Sequence, residues 1–208
     1  MTTAVVAMVL GVLVACSSKG TTTEPRRPLD KTPAPGAVVV SDDAEGYALS
    51  LPPSWVKLPT EVSAFPAAAD AVRAQAPPAA AAAVAIGLVQ LKSAVTAGVS
   101  LAAIDPSTGS TANLVTLDAN GQKVSEVAIG AANRLNGNGA TGLTRETVTV
   151  DGIAAVRSRF RNAFSGESGP VNLSESQLYV VRRGQAFILT LTGESADLDG
   201  IASSLKLA

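Results

Sequence analysis

Two short segments near the C-terminal end constrain the fold more than any other stretch. Residues 174–182 and 185–192 flank Arg183-Gly184 and pair across it as a hairpin. In that register Leu178, Val180, Phe187 and Leu189 share one face, and Tyr179, Val181, Ala186 and Ile188 share the other. Both faces are apolar, so both must be shielded from water. The chain is therefore expected to be an α+β protein: an α-β-α sandwich with a central antiparallel sheet covered by helices on both faces.

The remaining elements follow from local pattern. Residues 144–150 and 153–160 flank Asp151-Gly152, a dipeptide preferred in type I′ turns, and read as a second hairpin. Residues 165–171 read as a polar loop before the third strand of this series. Upstream, residues 38–40 and 47–51 read as two short strands, the second stopped by Pro52-Pro53. Ser63 is placed to cap a helix over 67–75 that ends before Pro77-Pro78. Residues 79–96 carry Val84, Leu88, Leu91 and Val95 at helical spacing, with Gly98 just past the end. The same stretch also fits a strand through Val84, Ile86 and Leu88. Residues 99–104 and 112–117 read as neighbouring strands, and residues 122–135 as a helix with Val124, Val127, Ala131 and Leu135 in one stripe. Ser195 is expected to cap a closing helix with Leu198, Ile201, Ala202 and Leu205 inward.

The N-terminal end has a different character. Residues 4–15 are apolar and run into Cys16, the single cysteine of the chain. As a helix they would reach only about 18 Å, against a bilayer core of about 30 Å. Such a run reads as a secretory leader rather than a span. Leu13-Val14-Ala15-Cys16 matches the bacterial lipobox, in which the cysteine thiol accepts diacylglycerol after cleavage of the leader; the plainer reading is a buried structural cysteine. Met1-Thr2-Thr3 departs from the usual leader in carrying no Lys or Arg. Residues 17–35 are polar and proline-rich and read as an extended tether. Arg26 and Arg27 within it read as solvated, with anionic headgroups as the alternative contact. The expected organisation is a signal peptide over 1–15, a lipidated Cys16 with its tether over 16–36, and one folded domain over 37–208.

Composition narrows the chemistry. The net charge is −1, which argues against a sequence-independent grip on nucleic acid. There is no histidine, so a Ser-His-Asp triad and a histidine metal site are excluded, and no cofactor or metal is expected. A lone cysteine cannot form an internal disulfide. Gly137-Asn138-Gly139-Ala140-Thr141-Gly142 spells G-x-G-x-x-G but follows a helix and leads into a strand, the reverse of a dinucleotide site. Ser203 and Lys206 form an S-x-x-K pair without a companion motif. Asp42-Asp43 and Asp197/Asp199 are carboxylate clusters that turns and caps explain.

Three stretches together resemble a known family. Gly46-Tyr47-Ala48-Leu49-Ser50-Leu51-Pro52-Pro53-Ser54-Trp55 is similar to the opening strand and Pro…Trp of the PsbP/Mog1-like superfamily. Thr149–Ala155 and Gln185–Thr192 resemble its central hairpin and penultimate strand, and residues 201–205 its last helix. The likeness covers most of residues 38–206, and secreted actinobacterial lipoproteins of the LpqN type combine such a domain with a lipobox and a Pro/Thr tether. The resemblance implies an α-β-α sandwich that serves as a binding or accessory module, and it implies no shared reaction.

Two features are candidate contact residues. Arg157, Arg159 and Arg161 alternate along one strand and so share a face, with Glu146 opposite Arg157 in the hairpin. They read either as a solvated, cross-strand-paired edge or as the contact for an anionic partner such as a headgroup, a phosphorylated glycan or an acidic protein. Trp55 reads as a core plug, with ligand stacking as the alternative. The expected function is that of a non-catalytic, monomeric envelope lipoprotein, held by its lipid on the outer face of the cell membrane, that binds a protein or envelope component. The alternatives are a carrier of an apolar ligand, in a cavity lined from residues 79–104, and an enzyme using carboxylates and arginine.

Overall fold

The computed structural model describes residues 27–166, 169–193 and 198–208. The leader, Cys16 and the first part of the tether lie outside them, as do Ser195 and Asp197. The strands are β1 (Val38–Asp42), β2 (Tyr47–Leu51), β3 (Val56–Leu58), β4 (Leu101–Ile104), β5 (Thr111–Asp118), β6 (Thr141–Val150), β7 (Ile153–Gly166), β8 (Gly169–Arg182), β9 (Gln185–Thr192) and β10 (Lys206–Leu207). The helices are α1 (Phe65–Gln75), α2 (Ala81–Thr96), α3 (Val124–Gly137) and α4 (Leu198–Ser203). A seven-stranded antiparallel sheet runs β3-β4-β5-β9-β8-β7-β6, and a second, three-stranded sheet runs β1-β2-β10.

The β8–β9 hairpin sits in the interior of the large sheet with the register its pattern demands: Leu178 opposite Leu189, Val180 opposite Phe187, Tyr179 opposite Ile188. Both turns adopt the positive φ of type I′ geometry, at Asp151 (52°) and Gly152 (76°) and at Arg183 (54°) and Gly184 (80°). One face of the sheet buries Leu178, Val180, Phe187 and Leu189 against Tyr47, Leu49 and Leu51 of β2 and Ile201 and Ala202 of α4. The other face is covered by helices: α1 and α2 over Leu58, Ile104 and Val115, and α3 over Tyr179, Val156 and Ile188. Helices thus lie on both faces, but the first face is shielded mainly by the small sheet. Strand β2 is buried along its whole length, which is why it cannot lie at a free surface.

Residues 81–96 are helical, because Val84, Leu88, Leu91 and Val95 bury together on one stripe while Ile86 is only half-buried. A strand through 84, 86 and 88 would have exposed that stripe. Helix α1 begins at Phe65 and is not capped by Ser63. Ala64 occupies the cap position without a side-chain bond, and the Glu61 carbonyl accepts the Ala64 and Phe65 amides at 3.1 Å each. A turn ahead of the helix does the work expected of the serine, and buried Phe65 anchors it.

Ser165, Gly166 and residues 169–171 lie in strands and not in the expected polar loop, while residues 167 and 168 lie outside the described residues. Strands β7 and β8 stay paired out to Gly166 opposite Gly169, forming a ribbon that passes the ends of β6 and β9. Two strands that satisfy each other's backbone need no apolar pattern to stay extended. Strands β3 and β10 were not apparent in the sequence; each is three residues or fewer and exists through its partner.

Tyr47 is fully buried, and its hydroxyl donates to the Ser100 carbonyl at 2.8 Å, tying the small sheet to the start of β4. Burial pushes its pKa up, with Asp42 and Glu45 adding to the effect. Tyr47→Phe should lower unfolding free energy by about 1–2 kcal/mol in urea denaturation, because it strands a buried carbonyl. A change within error would show that water replaces the hydroxyl.

Candidate functional site

Alternation along β7 puts Arg157, Arg159 and Arg161 on the face that also carries Ala155, the face covered by α4. Glu146 lies directly opposite Arg157 in the β6–β7 register, as the hairpin pattern requires. Its carboxylate nevertheless sits 2.5 Å from Arg159 Nη1 and 3.9 Å from Arg157 Nη1. Asp199, at the start of α4, completes the cluster at 3.1 Å from Arg157 and 3.2 Å from Arg159. Arg157 is largely covered, with its side chain 12% exposed. Desolvation works against the Arg159 charge, but hydrogen bonding and attraction from Asp199 and then Glu146 outweigh it and raise its pKa.

Two arginines and two carboxylates therefore balance. Exposed pairs of this kind contribute little stability, about 0–1 kcal/mol each. Arg161 is the remaining charge: it is exposed and forms no ion pair with any described residue. The basic stripe is thus a neutralised network with one cation left over at its outer end.

That cation borders a groove of about 600 Å³. Arg159 and Arg161 of β7 and Ser174 and Ser176 of β8 form one wall. Leu198 and Asp199 of α4 face them, and Thr141 and Gly142, where β6 is irregular against β7, close one end. Ser174 and Ser176 were not singled out in the sequence. Their signal was available, since Ser174 pairs with Arg161 and Ser176 with Arg159 once the β7–β8 register is known. A second groove of about 280 Å³ lies at the opposite end of the strands, beside the Arg183-Gly184 turn and Gly46.

The other sequence candidates are held elsewhere. Trp55 is 9% exposed, packs in the core with Tyr47 and Leu51, and lines neither groove. The Asp42 carboxylate accepts the Ala44 and Glu45 amides of its own turn, and Asp43 pairs with Lys31 at 2.7 Å. The Ser203 hydroxyl donates to the Gly200 carbonyl, while the Lys206 ammonium lies 3.6 Å from Asp151, so the S-x-x-K pair is not assembled. The glycine-rich string 137–142 ends α3 and enters β6. Residues 79–104 contribute no wall to either groove, and Val84, Leu88, Leu91, Val95 and Val99 pack in one cluster with Phe65, Ala69 and Val72. Among the described residues no group of His, Cys, Asp or Glu is arranged to hold a metal, and no helix is long and apolar enough to cross a membrane.

One titratable group escaped the sequence reading. Glu175 lies on the helix-covered face of β8, between α2 and the sheet, and is 3% exposed. Gln90 of α2 donates to its Oε1 at 3.5 Å, and Oε2 has no partner among the described residues. Burial pushes its pKa up to about 7, against a smaller opposing hydrogen bond from Asn162. Residue 175 borders the groove, but alternation along β8 turns its carboxyl to the opposite face from Ser174 and Ser176. A Glu within an otherwise alternating strand carries no mark of this in sequence.

No protein-family model matches the chain, and no curated protein matches it. Among solved structures it is similar to cyanobacterial PsbP (CyanoP) from Synechocystis sp. PCC 6803, at 14% identity over 95% of this chain and 100% of that one, with a TM-score of 0.47. It is also similar to LpqN of Mycobacterium tuberculosis, a protein involved in cell envelope biogenesis, at 12% identity over 85% and 84% of the two chains and a TM-score of 0.36. A protein of unknown function from Pseudomonas aeruginosa, PA94, gives 14% identity over 79% and 87%, with a TM-score of 0.36. Likenesses of this size bring no residue roles and no activity to the chain.

Proposed function

We propose that the chain is a non-catalytic, lipid-anchored accessory module of the cell envelope, displayed on the outer face of the membrane. Its PsbP/Mog1-like domain would offer the groove beside Arg161 to an anionic envelope component. The observation that carries the reading is the exposed Arg161 guanidinium, without an ion-pair partner among the described residues, at the edge of a groove lined by Ser174 and Ser176. An arginine fork flanked by hydroxyls suits phosphate or carboxylate oxygens. The volume of about 600 Å³ falls in the range of small-molecule sites, roughly 300–1,000 Å³.

The envelope part of the reading rests on the lipobox at Cys16. The family part rests on the order of β2, Trp55, the β6–β7 hairpin, β9 and α4 along the chain. A non-catalytic role is supported by how Asp42, Asp43 and Asp199 are used: each is engaged by a turn amide or a cation. An apolar carrier finds no support in residues 79–104, which line neither groove.

Titration of the full chain with a phosphorylated glycan should give binding that Arg161→Ala weakens by tenfold or more and that Arg161→Lys restores only in part, since lysine lacks the fork. Binding should also weaken steeply between 50 and 500 mM salt. Equal affinity of the wild type and Arg161→Ala would remove the groove from consideration.

A further inference from the structure

The stretch between the expected anchor and the first strand does not hang free throughout. Arg27 pairs with the Asp151 carboxylate, and its Nε donates to the Leu207 carbonyl at 3.2 Å. Asp151 is an enclosed partner, its side chain 10% exposed. It also accepts the Leu207 amide at 3.3 Å and faces Lys206 at 3.6 Å. Lys31 bonds Asp43, and the Ala34 amide donates to Ser50 Oγ at 3.1 Å. Residues 27–37 thus form a strap across the small sheet, tied at three points.

From Val38 back to Arg27 the strap runs the length of the small sheet. Val38, where β1 begins, pairs with Leu51, next to Ser50. Ser50 in turn accepts α4 as a neighbour through its amide bond to Ser204 Oγ, at 3.0 Å. A chain leaving directly from Val38 would therefore leave on the side of α4 and the groove. The strap instead carries it back past Asp43 to Asp151, beside the β6–β7 turn. Strand β7 starts at Ile153 next to that turn and reaches Arg161 eight residues later, roughly 26 Å away at about 3.3 Å per residue.

Cys16 lies eleven residues before Arg27. Eleven residues span no more than about 40 Å even when fully extended. From Val38 without the strap, the free chain would be twice as long and would start at the other end of the small sheet.

We infer that the strap sets the polarity of the domain on its anchor: the Asp151 end faces the membrane, and the Arg161 groove opens away from it, toward anionic ligands of the wall side. This rests on the anchored-binding reading above. It selects among the sources of anionic oxygens, favouring a wall-side phosphorylated or carboxylated glycan over headgroups of the membrane that holds the chain.

The test is made on the full chain in two arms. In a Cys16→Ser background, spin labels at Thr22→Cys and Gln185→Cys should lie at least 10 Å closer than labels at Thr22→Cys and Asn172→Cys. Arg27→Ala should broaden both distributions and erase the difference. This arm needs neither lipid nor ligand, so it stands apart from the failure of glycan binding or of lipidation. Equal distances in the chain with Arg27 intact would overturn the polarity. In the second arm, the lipidated chain on phosphatidylglycerol/phosphatidylcholine vesicles carries a fluorophore at Gln185→Cys or at Asn172→Cys. A headgroup-depth quencher should quench the first at least threefold more strongly. Equal or reversed quenching would overturn the inference in favour of a headgroup-facing groove.

Discussion

Gly109→Ala should cost the domain about 2–5 kcal/mol, whereas Gly152→Ala should cost only about 1–2 kcal/mol. Both glycines have φ of +76°, so both substitutions carry the left-handed penalty of about 1–2 kcal/mol. They differ in surroundings. A Cβ on Gly152 meets nothing within 4 Å. One on Gly109 would lie 2.4 Å from the Ala83 carbonyl carbon and 2.6 Å from the Val84 nitrogen, both backbone atoms of α2. Gly87 of the same helix faces it, and a Cβ there would lie 2.7 Å from the Gly109 carbonyl oxygen. The β4–β5 turn and α2 therefore meet backbone to backbone.

Neither side of that contact yields cheaply. Helix α2 is held by buried Val84, Leu88 and Leu91. The turn is held by Asp105, whose carboxylate accepts the Ser107 amide at 2.9 Å and the Ser107 and Thr108 hydroxyls at 2.7 and 3.0 Å. Overpacking of this kind adds about 1–3 kcal/mol. For a domain of this size each kcal/mol lowers Tm by roughly 2–4 °C, so thermal unfolding should show a drop of about 10 °C for Gly109→Ala and under half of that for Gly152→Ala. Equal drops would mean that the turn lifts off α2 without cost.

Glu175→Gln should stabilise the protein at pH 8 and leave it nearly unchanged at pH 4.5. The folded chain holds the Glu175 proton up to about pH 7, against an ordinary value of 4.5. Between those limits the folded state binds a proton that the unfolded state has released. This contribution to stability therefore falls as pH rises from about 4.5 to 7 and is level above that. At about 1.4 kcal/mol per unit, the loss is at most about 3 kcal/mol. The groups around the carboxyl, Gln90 on α2 and Asn162 on β7, are neutral, so no cation offsets the charge once it forms. Glutamine keeps the shape and cannot ionise. Urea midpoints measured from pH 4.5 to 8 should decline for the wild type relative to the variant. Parallel curves would mean that water reaches the carboxylate and hydrates it.

How far the sequence spoke depended on the range of the interaction concerned. The β8–β9 and β6–β7 hairpins were legible because turn dipeptide and alternation lie within twenty residues of each other. Helix α2 was half-legible: Val84, Leu88, Leu91 and Val95 fit a helix, and Ile86 left a strand open until packing chose. The polar pattern of residues 165–171 misled, because the pairing of Ser165 and Gly166 with Pro170 and Gly169 depends on backbone bonds between β7 and β8 and not on side-chain hydrophobicity. The arginine stripe was visible as a period-two pattern, yet its meaning was not. Arg157 and Arg159 are neutralised by Glu146 together with Asp199, forty or more positions away, which leaves Arg161 without an ion pair among the described residues.

By itself the sequence determined what local periodicity can encode: an antiparallel α+β sandwich, its two tight hairpins, the stripes of its helices, and an apolar run that ends at a lone cysteine. Those follow from side-chain spacing of two or 3.6 residues, which is written in the order of the amino acids. Only the tertiary structure decided that a second sheet covers one face, that Arg27 is drawn onto Asp151, that Glu175 is sealed beneath α2, and that a groove opens beside Arg161. Each of these depends on groups distant in sequence meeting in a low-dielectric or sterically closed place. Such meetings exist only after the chain has packed.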